Sequence, residues 1–235
     1  MTTSPGRIYL SAQRQFSITK SLRFHSTFSD GLLGLQEARS ESAVKILNDE
    51  ILSGACSTAC QSHACSHTIL IPITGDLIFK NDDQRISLDV GEMLIRSGQA
   101  SRDFKVVNRY QDEEINYLRF EVEDSELLNP GIGKFHYDLE VHRNALINIT
   151  AALDKLPFSV NIGAFAGREE TIFRLQDERS VLLAYVIAGA FEIEGRLLEA
   201  GDALELWDIR EAELEALSNQ AIIVLLELVK RTGGS

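Results

Sequence analysis

Three cysteines and two histidines crowd into one short stretch, Cys56, Cys60, His63, Cys65 and His67, and no other cysteine occurs in the chain. Thiolates and imidazoles are ligands for zinc or iron, and a thiol beside an imidazole can oxidise to a sulfenic acid or a disulfide. If residues 61–67 are extended, the period of two puts Gln61, His63, Cys65 and His67 on one face. The spacing is not the paired Cys-x2-Cys of a structural zinc site, and same-face residues on one strand fan out too far to share an ion easily. A disulfide here requires a bent segment, because two cysteines on one straight strand cannot meet. Against both uses stands the commonest fate of a free cysteine, a small buried hydrophobe. An odd number of cysteines in one stretch is a poor framework for a secreted fold and points to a reducing compartment, the cytoplasm. His25, His136 and His142 have no companion at ligand spacing.

These residues must be positioned by strands. The run His67 to Phe79, with Gly75 at its turn, and then Ile86 to Ile95, with Gly91, is echoed by Val181 to Ile193, with Gly189, and Leu197 to Leu206, with Gly201. Apolar strand, glycine turn, alternating strand and glycine-acid turn recur in the same order, so two similar modules are expected. Runs of Ile, Leu, Val and Phe cut by glycine predict a mainly β fold. Ser40 to Leu52 and Asp208 to Leu217 have fair helix propensity. The second alternates Ala212, Leu214 and Ala216 with Glu211, Glu213 and Glu215, and strands are expected in both. Asn129-Pro-Gly-Ile-Gly133 is the best turn-rich break, which sets modules of residues 1–130 and 131–235.

Composition bounds the function. At 235 residues, 44% apolar and 25% charged, the chain is an ordinary globular protein with ample core. A formal charge of -12 and no Lys/Arg-rich stripe argue against direct nucleic-acid binding. No apolar run approaches a membrane helix, and Met1 to Leu10 lacks the pattern of a signal peptide. No nucleophile elbow or phosphate loop is present, and Gly131-Ile-Gly133 alone is too weak for a dinucleotide site.

The segments Phe24 to Ser29, Gly31-Leu-Leu-Gly34 and Val44 to Gly54, then Thr74-Gly75-Asp-Leu and Val90-Gly91-Glu, resemble the pirin family, and its divergent bacterial branch in particular. The resemblance runs from about residue 7 to residue 228. It implies a bicupin, an all-β chain of two double-stranded β-helix (jelly-roll-like) barrels. It also implies a divalent metal, held in the first barrel by a His-x-His pair and a later His-x-Glu pair, as in quercetin dioxygenases. Counted from the glycines, those positions fall on Gln61 and His63 and on Asp103 and Lys105, so two good ligands, His63 and Asp103, survive. An amide is a weak neutral ligand and a protonated ammonium is none. Lys105 could instead neutralise Asp103 where the metal would sit, or simply reach solvent. The second module has no histidine before Gly189 and reads as structural.

The leading expectation is therefore a bicupin lacking most of the metal ligands, a ligand-binding or redox-responsive regulatory protein. Cys56, Cys60 and Cys65 are its redox candidates, and a small molecule or a protein its partner. The alternative is a quercetinase-type dioxygenase using Fe, Mn, Ni, Cu or Zn on His63, Asp103 and Cys65 or His67.

Overall fold

Residues with branched and aromatic side chains, alternating with polar ones and cut by glycine, become strands along the chain. The computed structural model describes residues 4–28, 43–127, 130–153 and 156–229. Gly31 to Gly34, Ser40 to Ser42 and Asn129 lie outside the described residues. The chain opens with β1 (Gly6–Tyr9), β2 (Gln15–Ile18), β3 (Leu22–Phe28), β4 (Val44–Leu52), β5 (Ser57–Ser62), β6 (Ser66–Thr74) and β7 (Leu77–Lys80). It continues through β8 (Arg85–Leu88), β9 (Glu92–Gly98), β10 (Arg102–Asn108), β11 (Ile115–Glu123), β12 (Gly131–His136), β13 (Leu146–Asn148) and β14 (Phe158–Phe165). It closes with β15 (Glu170–Arg174), β16 (Ser180–Ala188), β17 (Ala190–Ile193), β18 (Arg196–Glu199), β19 (Ala203–Trp207), β20 (Glu211–Ala216) and β21 (Ala221–Val229). Both ambiguous segments are strands where described, β4 and β20, because each buries one face. No helix of the described residues is long and apolar enough to cross a membrane.

The strands form two units, each a pair of antiparallel sheets facing across an interior. In one, a sheet of order β12-β9-β6-β11-β4-β3-β2 faces a sheet of order β5-β10-β7-β8. In the other, β1-β19-β16-β21-β14-β13 faces β15-β20-β17-β18. The sequence repeat is this shared topology: β6 lies between β9 and β11 as β16 lies between β19 and β21. Its glycines take matching left-handed conformations, φ 71° at Gly75 and 73° at Gly189, 91° at Gly91 and 87° at Gly201. An L side chain is disfavoured at those angles.

The described residues divide as 15–28 and 44–137 in one unit, and 4–14, 43 and 138–229 in the other, so the division does not fall at residue 130. Hydrogen bonding explains it. The Gly131–Gly133 segment read as a break is the start of β12, which pairs with β9 from Gly131 opposite Ser97 to His136 opposite Glu92. The N-terminal β1 pairs with β19, from Gly6 opposite Leu206 to Tyr9 opposite Ala203. Tyr9 also donates its hydroxyl to the buried carboxylate of Glu205 at 2.7 Å. β1, from the start of the chain, and β12 thus each close a sheet edge, which satisfies backbone groups that would otherwise stay open.

The interior of the C-terminal barrel holds an apolar cluster of Phe165, Phe191, Leu182, Leu204, Leu214 and their neighbours, with Asn161, Ser180 and Glu227 buried on the same strand faces. The N-terminal barrel has an apolar cluster around Leu70, Leu94, Phe79, Phe104 and Val106, but the polar groups described below share its interior.

A side chain at residue 6 would test the β1 edge. A Cβ on Gly6 would lie 2.6 Å from Leu206 Cδ2 and 2.7 Å from the Glu205 carbonyl oxygen. Gly6→Val is expected to lift β1 from β19, lowering the melting temperature and opening the first residues to protease. An N-terminus cut no faster than in the parent protein would refute this docking.

Candidate functional site

Alternation along β5 and β10 decides what faces the interior of the N-terminal barrel. Phe104 pairs with Cys60 and Arg102 with Ser62, and these even-numbered positions turn inward. Phe104 and Val106 are buried in the apolar cluster and Cys60 packs against it. The odd positions turn outward, so Gln61, Asp103 and Lys105 are exposed. On that outer face the Gln61 amide donates to Asp103 Oδ1 at 3.0 Å, and Lys105 stands opposite Ala59 and Lys80. Lys105 therefore takes no metal's place. Counting from a glycine locates a strand position to within a residue, and a slip of one residue exchanges the faces.

The cysteine-histidine stretch is not one strand, which corrects the extended reading of residues 61–67. β5 ends at Ser62 and β6 begins at Ser66, with Cys65 in a left-handed conformation at φ 50° between them. His63 turns onto Glu121, its Nδ1 2.7 Å from Oε1, and its backbone N–H donates to the same oxygen. Ser66 Oγ lies 3.0 Å from that oxygen and 2.8 Å from the His63 carbonyl. His67 has both ring nitrogens engaged, Nδ1 with Ser97 Oγ at 2.7 Å and Nε2 with Asp124 Oδ2 at 3.0 Å. Burial holds its pKa below the ordinary histidine value despite the Asp124 carboxylate. Cys65 Sγ sits 3.6 Å from the Gln99 carbonyl. Gln61, His63, Cys65 and His67 thus leave in different directions rather than sharing a face.

The three cysteines are free thiols. Burial, with the Glu50 carboxylate adding to it, pushes the Cys60 thiol up to about 12, so it stays protonated and a poor nucleophile at neutral pH.

What fills the interior beside Cys60 is an ion pair that the sequence reading missed. Arg119 Nε donates to Glu50 Oε1 at 2.7 Å, with the Glu50 side chain 2% and the Arg119 side chain 13% exposed. The Tyr117 hydroxyl donates to Glu50 Oε2 at 2.5 Å and the Asn48 amide to Oε1 at 3.0 Å. Burial opposes ionisation of Glu50, but the Arg119 charge, the hydroxyl and the amide together outweigh it and hold the carboxyl below its usual range. The missed signal was a period of two in β4 and β11: Asn48 and Glu50, then Tyr117, Arg119 and Glu121, are the polar residues of an inward face.

A divalent metal needs converging donors. The inward positions Cys60, Ser62, Phe104 and Val106 offer one strong ligand type, and that thiol holds its proton. Among the described residues no three His, Cys, Asp or Glu side chains stand together as an ion's ligands. The residues present do not fit the metal that the resemblance implies.

Comparison with known proteins agrees with the fold. Residues 158–228 match the family model of the quercetinase C-terminal cupin domain. No curated protein matches the chain. The crystal structure of YhhW from Escherichia coli superposes with a TM-score of 0.82 at 15% identity, covering 98% of this chain and 100% of that one. The same bacterial pirin in complex with nickel(II) gives 0.82 at 15% identity, over 97% of this chain and 100% of that one. Quercetin 2,3-dioxygenase from Acinetobacter baumannii gives 0.75 at 15% identity, over 95% of this chain and 86% of that one. The chain therefore has a pirin-like bicupin fold.

Two outcomes follow from the interior. Removing one member of a buried ion pair strands the other, so Arg119→Met should cost about 3–5 kcal/mol in urea unfolding, and Glu50→Leu with Arg119→Met should recover much of it. A double variant no more stable than the single one would show that the pair is not coupled as described. Cys60 should resist iodoacetamide in the folded protein at mildly alkaline pH and react once urea unfolds the chain. Labelling at the rate of a free thiol would contradict its placement.

Proposed function

We propose that this pirin-like cupin protein works without a metal dioxygenase centre, as a ligand-binding regulatory protein. The observation that carries this reading is the interior of the N-terminal barrel, where Phe104 and Val106 face inward and a guanidinium is bound to its own carboxylate, Glu50. The fixed positive charge of Arg119 would repel a divalent cation, and few donors remain open to bind one.

Cys60 packs against the apolar cluster with its thiol protonated, which favours ligand binding over the redox-responsive branch of the expectation. The dioxygenase alternative requires His63, Asp103 and Cys65 or His67 to converge. Asp103 lies on the outer face, His67 is engaged at both ring nitrogens, and His63 is turned onto Glu121. The strongly negative net charge makes a small molecule or a protein the expected partner rather than nucleic acid.

Metal analysis is the direct test. Protein purified without chelator should contain no stoichiometric Fe, Mn, Ni, Cu or Zn, and after incubation with Fe, Mn, Ni, Cu or Co it should consume no oxygen with quercetin. A stoichiometric metal that survives dialysis, or metal-dependent oxygen uptake, would overturn the proposal.

A further inference from the structure

Among the described residues, two arginines of the N-terminal barrel, Arg96 and Arg102, have no carboxylate ion pair. Arg96 on β9 is 5% exposed, yet among the described residues its one side-chain hydrogen bond is from Nη1 to Ser62 Oγ at 2.7 Å. Among the described residues no carboxylate pairs with it. Glu121, across β6 from it, acts on it electrostatically without a hydrogen bond; its Oε1 is taken by His63 and Ser66, and its Oε2 is buried with no partner among the described residues. Arg102 is on the inward side of β10, in register with Ser62, and its backbone N–H approaches Ser62 Oγ at 3.4 Å. Ser62 thus touches the Arg96 guanidinium and the Arg102 backbone. Burial and the neighbouring Arg102 charge both lower the pKa of Arg96, as expected of like charges held close.

Both arginines line a cavity of about 410 Å³. Around them stand the side chains of Asn81, Gln84 and Gln99, and one carboxylate, Asp83, also lines the space. A guanidinium has five N–H donors in a planar fork, and among the described residues only Ser62 is a hydrogen-bond acceptor for those of Arg96. Those donors meet the cavity, where an anion's oxygens can replace water on them.

We infer that this cavity binds a small oxyanion, a carboxylate or a phosphate, held by the guanidinium of Arg96 and the charge of Arg102. The inference rests on the metal-free reading of this barrel and names the class of ligand it takes. Its chemistry is that of a bidentate guanidinium–oxyanion pair.

Calorimetric titration with succinate, benzoate and inorganic phosphate, at ionic strength matched with chloride, tests it. At least one probe should bind saturably at one site per chain, and which one identifies the anion as carboxylate or phosphate. Arg102→Gln, a change at an exposed side chain, should weaken that binding about tenfold, the effect of about 1.4 kcal/mol. Arg96→Lys keeps the charge but loses the fork, and should weaken it too. Arg143→Gln, in the other unit, should leave it unchanged. If Arg96→Lys fails to fold, Arg102→Gln carries the test alone. Absence of binding by all three probes, or unchanged affinity in Arg102→Gln, overturns the anion site. The two readings fail separately: metal-free protein that binds no anion sinks this inference alone, and protein that binds the anion while holding stoichiometric metal sinks the metal-free reading alone.

Discussion

A closed antiparallel barrel has one inside, and the period of two along each strand decides which residues occupy it. Everything distinctive about the N-terminal unit follows from that constraint. On β5 and β10 the even positions enter, so the interior receives Cys60, Ser62, Phe104 and Val106 while Gln61, Asp103 and Lys105 meet solvent. On β4 and β11 the same rule brings in Asn48, Glu50, Tyr117, Arg119 and Glu121.

The second set answers the problem raised by any charge inside a barrel. Desolvating Glu50 or Arg119 alone would be prohibitive, and the two persist because each bonds the other while Tyr117 and Asn48 fill the remaining lone pairs of the carboxylate. The C-terminal barrel, built on the same strand order and the same left-handed glycines, has a larger apolar cluster, and its buried polar residues Asn161, Ser180 and Glu227 include no arginine–carboxylate pair among the described residues.

Polar satisfaction also separates the two ends of the N-terminal interior. At the Glu50 end the carboxylate is met by Arg119, Tyr117 and Asn48. At the Arg96 end Ser62 is, among the described residues, a single acceptor for a fork that can donate five times. A guanidinium that lines a cavity with donors to spare is arranged to receive a ligand there.

The sequence by itself determined the all-β class, the two modules and their matching turns, because apolar runs and glycines at φ near 70–90° are local requirements that leave a local trace. It placed Gln61 and Lys105 at two of the four family ligand positions, a reading that needs residue identity and a strand register. It could not say which residues look inward, since period two is blind to a shift of one residue, and the corner at Cys65 broke the single strand on which His63, Cys65 and His67 were aligned. Nor could it assign β1 and β12, whose partners β19 and β9 are chosen by hydrogen bonding between strands distant in the chain for β1 and read as separated by a turn for β12. The Glu50–Arg119 pair joins residues on two strands far apart in sequence, and only tertiary packing decides that such charges meet in a barrel rather than in water.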